Sequence, residues 1–281
     1  MNAPEEILYR PRGPYRSNHL GAHSSTEVGG FGVFRDRVPF FRFPDGRRID
    51  LRASLRDPYE QIYVRRFEQR QSVDVFALVD FSASMGFIGA CDKAALGLGI
   101  CEGLAYSATS IGDRFGLIGC DRAIRAHLSL APTRSKSSAL YATARLRRER
   151  FDGAGSDGFL AAAAALGASR KLVCLISDFR WPELLIRRVF DLLSLHDTAP
   201  IVIVDSMEET PPAWGLVELV DSESGKRGLW AMRPRLRAQW IERERTRRAE
   251  LSRIAADRCR PPIFVRDVFD PGFVSSMLMA A

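Results

Sequence analysis

Residues 73–85, VDVFALVDFSASM, constrain the fold more than any other stretch of the chain. Val73, Val75, Phe76, Ala77, Leu78 and Val79 make a short, nearly continuous apolar run rich in β-branched residues. A strand buried on both faces of a parallel sheet has this pattern. The run stops at Asp80, and Ser82 and Ser84 follow at alternate positions. Ligands of open α/β sheets bind beyond the carboxyl ends of the strands. One carboxylate and two hydroxyls therefore stand where a site is expected.

The D-x-S-x-S pattern suits a hard cation. Mg²⁺ takes oxygen ligands in near-octahedral geometry at about 2.0–2.1 Å and keeps several waters. One acid and two neutral hydroxyls leave such an ion with net positive charge and an open position for a carboxylate from another molecule. The ordinary alternative is that Ser82 or Ser84 caps a following helix and Asp80 is a lone strand-end acid.

The rest of the chain alternates strands and helices. Asp92 is placed to cap a helix over residues 93–110, and residues 114–120 read as the second strand. Residues 124–130 read as a third, antiparallel to the second. A helix starting at Thr133 or Ser135 runs to about Arg150, followed by the loop FDGAGSDG (151–158) and an alanine-rich helix. KLVCLIS (171–177) is another buried strand ending on an acid, Asp178. Pro182 opens the next helix, and PIVIVD (200–205) is the next strand. Two strand-like segments, 214–220 and 228–232, flank a turn at 222–226. A basic helix (233–257) follows, with Leu236, Trp240, Leu251, Ile254 and Ala255 as its apolar side. A last strand (262–265) and a short helix (273–279) end the chain. Strands alternating with helices predict an α/β fold with a doubly wound, mostly parallel sheet. Residues 1–70 read as an arm packed on this core, including short strands at 46–54 and 59–70. Residues 71–210 form the core, and residues 211–281 complete the domain.

The formal net charge of +7 comes almost wholly from arginine, since the lysines are only Lys93, Lys136, Lys171 and Lys226. Such a balance can attract nucleic acid or an acidic partner surface, or equally reflect coding bias, since the 34 acids are interspersed among the bases. Nucleic acid is not expected, because no recognition module accompanies the charge. The five cysteines (91, 101, 120, 174, 259) include no C-x-x-C, and the four histidines are scattered, which argues against zinc. No apolar run approaches the ~18–20 residues of a membrane span, and the N-terminus lacks a secretory layout. The expectation is a soluble cytoplasmic protein, with peripheral membrane association left open.

Two more clusters join Asp80. Ser156 and Asp157 precede the alanine-rich helix, and Ser177-Asp178 ends a core strand. In a parallel sheet the carboxyl ends of neighbouring strands share one edge, so Asp80 and Asp178 can face one crevice with Ser156 between them. Helix capping remains the ordinary reading of each cluster taken alone.

VDFSASM, the GSDG loop and ISDFRWP together resemble the metal-ion-dependent adhesion site of the von Willebrand factor A fold, a Rossmann-like architecture. There the pattern is D-x-S-x-S, then a threonine, then an aspartate. The resemblance implies a metal held by Asp80, Ser82, Ser84, Ser156 and Asp178, the hydroxyls directly and the two aspartates mostly through water. Mg²⁺ is the implied ion, with Mn²⁺ or Ca²⁺ as substitutes. Ser156 departs from the pattern, lacking the methyl that restrains χ1 in threonine, and Asp157 is a rival ligand. GRRIDLRAS, YVRRFEQRQSVDVFALVDFSASM, DRFGLIGCDRAI, ISDFRWPE and GLVELVDSESG further resemble the bacterial branch known as domain of unknown function fifty-eight.

That resemblance implies a non-enzymatic, metal-dependent protein-interaction module. Its implied partner is a MoxR-type AAA+ ATPase, acting with it as a chaperone in metal insertion or maturation of another complex. The client would offer an acidic residue; methanol dehydrogenase, and thus methanol oxidation, is one such client in a relative of this size. Two other readings are an Mg²⁺-dependent phosphotransferase or hydrolase and an arginine-driven nucleic-acid binder.

Overall fold

The computed structural model describes residues 4–13, 20–29, 33–220 and 227–280. It divides into two compact units, one of Gly13–Val73 and one of the residues up to Arg12 together with those from Asp74 onward.

The smaller unit is a three-stranded antiparallel sheet of β1 (Leu20–Gly29), β2 (Val33–Pro39) and β3 (Tyr63–Gln71), with β3 in the middle. Residues 46–54, expected to be strand-like, instead form a 3₁₀ turn (Gly46–Arg48) and the short helix α1 (Leu51–Ser54). Local side-chain bonds account for the difference. The Asp45 carboxylate accepts from the Arg47 amide and that of Asp50 from the Ala53 amide, which offers the backbone an alternative to a ladder. Asp50 also accepts from Arg37 Nε at 2.8 Å and Arg65 Nε at 2.9 Å. The Arg65 bond, then the Ala53 amide, hold its carboxyl well below the usual range.

The larger unit is built on a six-stranded sheet. Its elements in chain order are β4 (Asp74–Asp80), α2 (Lys93–Ser110), β5 (Arg114–Cys120), β6 (Ile124–Thr133), α3 (Lys136–Leu146), α4 (Gly158–Ala165), β7 (Leu172–Ser177), α5 (Glu183–Leu193) and β8 (Asp197–Val204). Then come α6 (Ser206–Glu209), β9 (Gly215–Val220), β10 (Arg227–Met232), α7 (Pro234–Ala255), β11 (Ile263–Arg266) and α8 (Pro271–Met279). The sheet order is β11-β8-β7-β4-β5-β6, and every pair is parallel except β5 with β6. This is the expected α/β doubly wound, mostly parallel sheet. Among the described residues β9 and β10 pair only with each other, and β11 joins the main sheet. The turn expected at 222–226 lies outside the described residues.

Both sheet faces are covered, which is why β4, β7 and β8 read as apolar runs. Phe76, Leu78, Val173, Leu175, Val202 and Val204 point into one layer with Phe159 of α4, Val189 and Phe190 of α5, and Leu251, Ile254 and Ala255 of α7. Each such large side chain, fully buried, contributes about 1.5–3 kcal/mol of transfer free energy. On the opposite face α2 packs so closely that a Cβ on Gly97 would stand 3.2 Å from Ile176 Cγ2. Cys120 and Cys174 are fully buried, as expected of thiols acting as small hydrophobes.

The chain winds outward from β4 in both directions: β4 to β5 through α2 on one side, β7 to β8 through α5 on the other. The crevice at such a switch point lies between the carboxyl ends of β4 and β7. Asp80 is the last residue of β4, and Asp178 immediately follows β7.

Candidate metal centre

The Asp80 side chain is fully buried and held on three sides. Oδ1 accepts from the Ser82 amide at 2.8 Å; Oδ2 accepts from the Ser177 hydroxyl at 2.5 Å and from Trp181 Nε1 at 3.0 Å. The Ser82 bond is an Asx turn that folds the chain back at the strand end. It brings Ser82 Oγ to 3.2 Å from Ser84 Oγ. Burial, and next the neighbouring Asp178 charge, push the Asp80 carboxyl up to about 6.

The loop carrying Ser156 docks on this turn through its backbone. Gly153 donates to the Phe81 carbonyl at 3.1 Å and accepts from the Ala83 amide at 2.9 Å. Phe151 stacks on Phe81 with ring centroids 4.5 Å apart, and the Gly158 amide donates to the Asp121 carbonyl beyond β5. A Cβ on Gly153 would come within 2.4 Å of Asp121 Cβ and 2.8 Å of the Phe81 carbonyl oxygen, so the approach requires glycine. Ser156 is thereby buried, and its Oγ has no hydrogen-bond partner among the described residues. A buried hydroxyl without a partner is costly unless a ligand completes it.

Asp178 is paired with a lysine. Lys93 Nζ, fully buried at the first turn of α2, lies 2.8 Å from Asp178 Oδ2 and 3.0 Å from Glu208 Oε2 of α6. Burial alone would raise the Asp178 carboxyl; the Lys93 charge and hydrogen bond outweigh it and hold the group below its ordinary value. The next residue, Phe179, is buried with φ at 52°, a region bulky side chains rarely occupy. Arg247 of α7 fastens that turn by donating from Nη1 to the Asp178 and Phe179 carbonyls at 3.2 and 3.3 Å.

Capping does not account for the five residues. Ser82 precedes a 3₁₀ turn (Ala83–Gly86), Asp157 precedes α4 and Pro182 precedes α5, and none of these makes a side-chain cap bond. Asp178 accepts instead from the Arg180 amide at 3.1 Å. By contrast Asp92 caps α2 and Ser135 caps α3, as expected. Sequence reasoning missed Lys93, Trp181 and Glu208. Lys93 left a signal: it opens a helix whose only other charged residue is Glu102, in a chain with four lysines.

A separate group, Cys91, Asp205 and Asp267, brings three potential ligand atoms within 4.8 Å of one another. The Asp205 carboxylate is already taken up by the Cys91 and Met207 amides.

Residues 44–250 match the family described as protein of unknown function DUF58. The chain belongs to the DUF58 family. Uncharacterized proteins of Mycobacterium bovis and Mycobacterium tuberculosis are 24% identical to this DUF58 chain over 212 residues. The match covers 74% of the chain and spans 66% of the length of those relatives. Solved structures similar to it include a von Willebrand factor type A protein from Catenulispora acidiphila, with 14% identity and a TM-score of 0.42 over 77% of this chain and 43% of that one. BatB from Bacteroides thetaiotaomicron gives 14% and 0.38 over 73% and 98%. Manganese-loaded TRAP of Plasmodium vivax gives 16% and 0.40 over 74% of each chain. Likeness at this level carries neither ligand nor activity to the DUF58 chain.

The donor chemistry is a test of its own. Asp80, Ser82, Ser84 and Ser156 offer only oxygen, and the Ser156 hydroxyl is buried without a partner. Such a set fits a hard divalent cation.

Proposed function

We propose that this DUF58 protein is a non-enzymatic, metal-dependent protein-interaction module. Asp80, Ser82, Ser84 and Ser156 would hold the ion, with Asp178 as the outer carboxylate. A bound Mg²⁺, or Mn²⁺ in its place, would supply an open coordination position for a carboxylate oxygen of a partner. The observation that carries this reading is the buried, unpartnered Ser156 hydroxyl in a loop fastened to the Asp80–Ser84 turn.

The chain's own residues would hold that position in place. Ser177 and Trp181 orient Asp80. The excess of arginine steers an acidic partner to the edge of the sheet. The family resemblance supports a MoxR-type AAA+ ATPase as partner and a role in maturing a client complex such as methanol dehydrogenase. No helix among the described residues is long and apolar enough to cross a membrane.

The test is affinity capture from the native lysate in Mg²⁺, in chelator, and with a Ser82→Ala/Ser84→Ala chain. The reading predicts an AAA+ ATPase held by the unaltered chain in Mg²⁺ and lost in the other two. Capture indifferent to chelator and to both substitutions would contradict it.

A further inference from the structure

Lys93 brings a positive charge to Asp178, the outer carboxylate of the proposed centre. Its Nζ bonds Asp178 at 2.8 Å and Glu208 at 3.0 Å, and lies 5.7 Å from the centre of the Phe87 ring. Arg180 closes the cluster, reaching Glu208 at 3.6 Å and Glu244 at 3.1 Å, and Arg247 lies 2.9 Å from Glu244. The carboxylates of Asp80, Asp178, Glu208 and Glu244 thus outnumber the cations Lys93, Arg180 and Arg247 by one. An ion of charge +2 would leave the cluster at +1, whereas without the Lys93 ammonium it would be neutral. Like charges at such separations repel strongly where water is excluded. An ammonium on Asp178 therefore competes with the ion for the same carboxylate.

We infer that Lys93 sets the charge of this centre, weakening its hold on a divalent cation so that the loaded centre stays positive and draws an acidic ligand. Glu208 has the opposite effect, drawing the ammonium away from Asp178. This inference rests on the metal reading of the site and goes beyond it in assigning affinity and ligand charge to residues outside the donor set.

Two substitutions move the balance in opposite directions. Lys93→Met should bind Mn²⁺ at least tenfold more tightly by calorimetry. It should also bind acetate, followed through Mn²⁺-enhanced relaxation of its methyl protons, at least threefold more weakly. Glu208→Gln should bind Mn²⁺ at least threefold more weakly and acetate more tightly. Because Glu208 is partly exposed and its glutamine keeps the shape, that variant decides the matter if Lys93→Met fails to fold. Affinities within twofold of the unaltered chain, or shifted the other way, overturn the role of Lys93 while leaving the metal centre standing. Absence of saturable Mn²⁺ binding in the unaltered chain and both variants overturns the centre and, with it, this role.

Discussion

The Trp181 indole donates to Asp80 Oδ2 across 3.0 Å, joining the loop after β7 to the end of β4 in the interior of the larger unit. The ring also packs against Phe159 and Phe179, with centroids 4.5 and 5.0 Å away. One side chain thus holds the candidate centre and belongs to the core. Trp181→Phe keeps an aromatic ring but deletes the donor together with the pyrrole half of the indole. A hydrogen bond to a buried charged group contributes about 1.5–3 kcal/mol and the cavity left behind adds to it, so urea unfolding at pH 7 should show a loss of at least that size. Unchanged stability would mean that the indole does not support the carboxylate.

The Asp80 carboxyl, raised from 3.8 to about 6 by burial and then by Asp178, makes stability depend on pH. Between those values the folded chain holds the proton more tightly than the unfolded chain does. The group is therefore harmless below pH about 4, and its penalty grows as pH rises through 6, reaching about 3 kcal/mol. Asp80→Asn does not titrate. The difference in unfolding free energy between this variant and the unaltered chain should widen in the variant's favour by about that amount from pH 4 to 7. Saturating Mg²⁺ should remove the widening, because a cation favours the ionised carboxylate. A difference that stays flat with pH would contradict the assignment.

Ser156 separates binding from folding. Its hydroxyl has no partner, so Ser156→Ala should leave stability within about 0.5 kcal/mol or raise it. Mn²⁺ affinity should nevertheless fall about tenfold, a loss of about 1.4 kcal/mol. Ser156→Thr should retain affinity. A clear loss of stability without a change in Mn²⁺ affinity would make the residue structural.

Gly153 offers a test at a position outside the proposed ligands. An alanine there meets Asp121 and the Phe81 carbonyl, and an overpacked contact costs about 1–3 kcal/mol. Gly153→Ala should lift the loop off the Asp80–Ser84 turn and weaken Mn²⁺ binding as much as Ser156→Ala does. Undiminished affinity would show that docking of this loop is dispensable.

The sheet was legible because its central strands are buried on both faces, so that residues 75–79, 172–176 and 200–204 carry their assignment in composition alone. The switch point was legible too, since Asp80 and Asp178 each close such a run. The surroundings of the candidate centre were only half legible. Burial of Lys93 depends on Asp178 and Glu208, 85 and 115 residues away, and no local pattern encodes a pairing at that separation. The indole bond from Trp181 to Asp80 spans 101 residues and was hidden for the same reason. Residues 46–54 misled in the other direction. Their alternation suggests strands, but Asp45 and Asp50 bond nearby amides and turn the chain into short helical pieces. In α7 the expected apolar side is buried over its last turns, at Leu251, Ile254 and Ala255, whereas Leu236 and Trp240 are half-buried. Several of its arginines are ion-paired along the helix, Arg247 with Glu244 and Arg253 with Glu250.

The metal centre is tested most directly by a Mn²⁺ titration of the unaltered chain beside Asp80→Ala, with circular dichroism to confirm that both are folded. One saturable Mn²⁺ per chain, displaced by Mg²⁺ and lost in Asp80→Ala, is the predicted result. Equal binding by the two chains, or no saturable binding by the unaltered one, would contradict it.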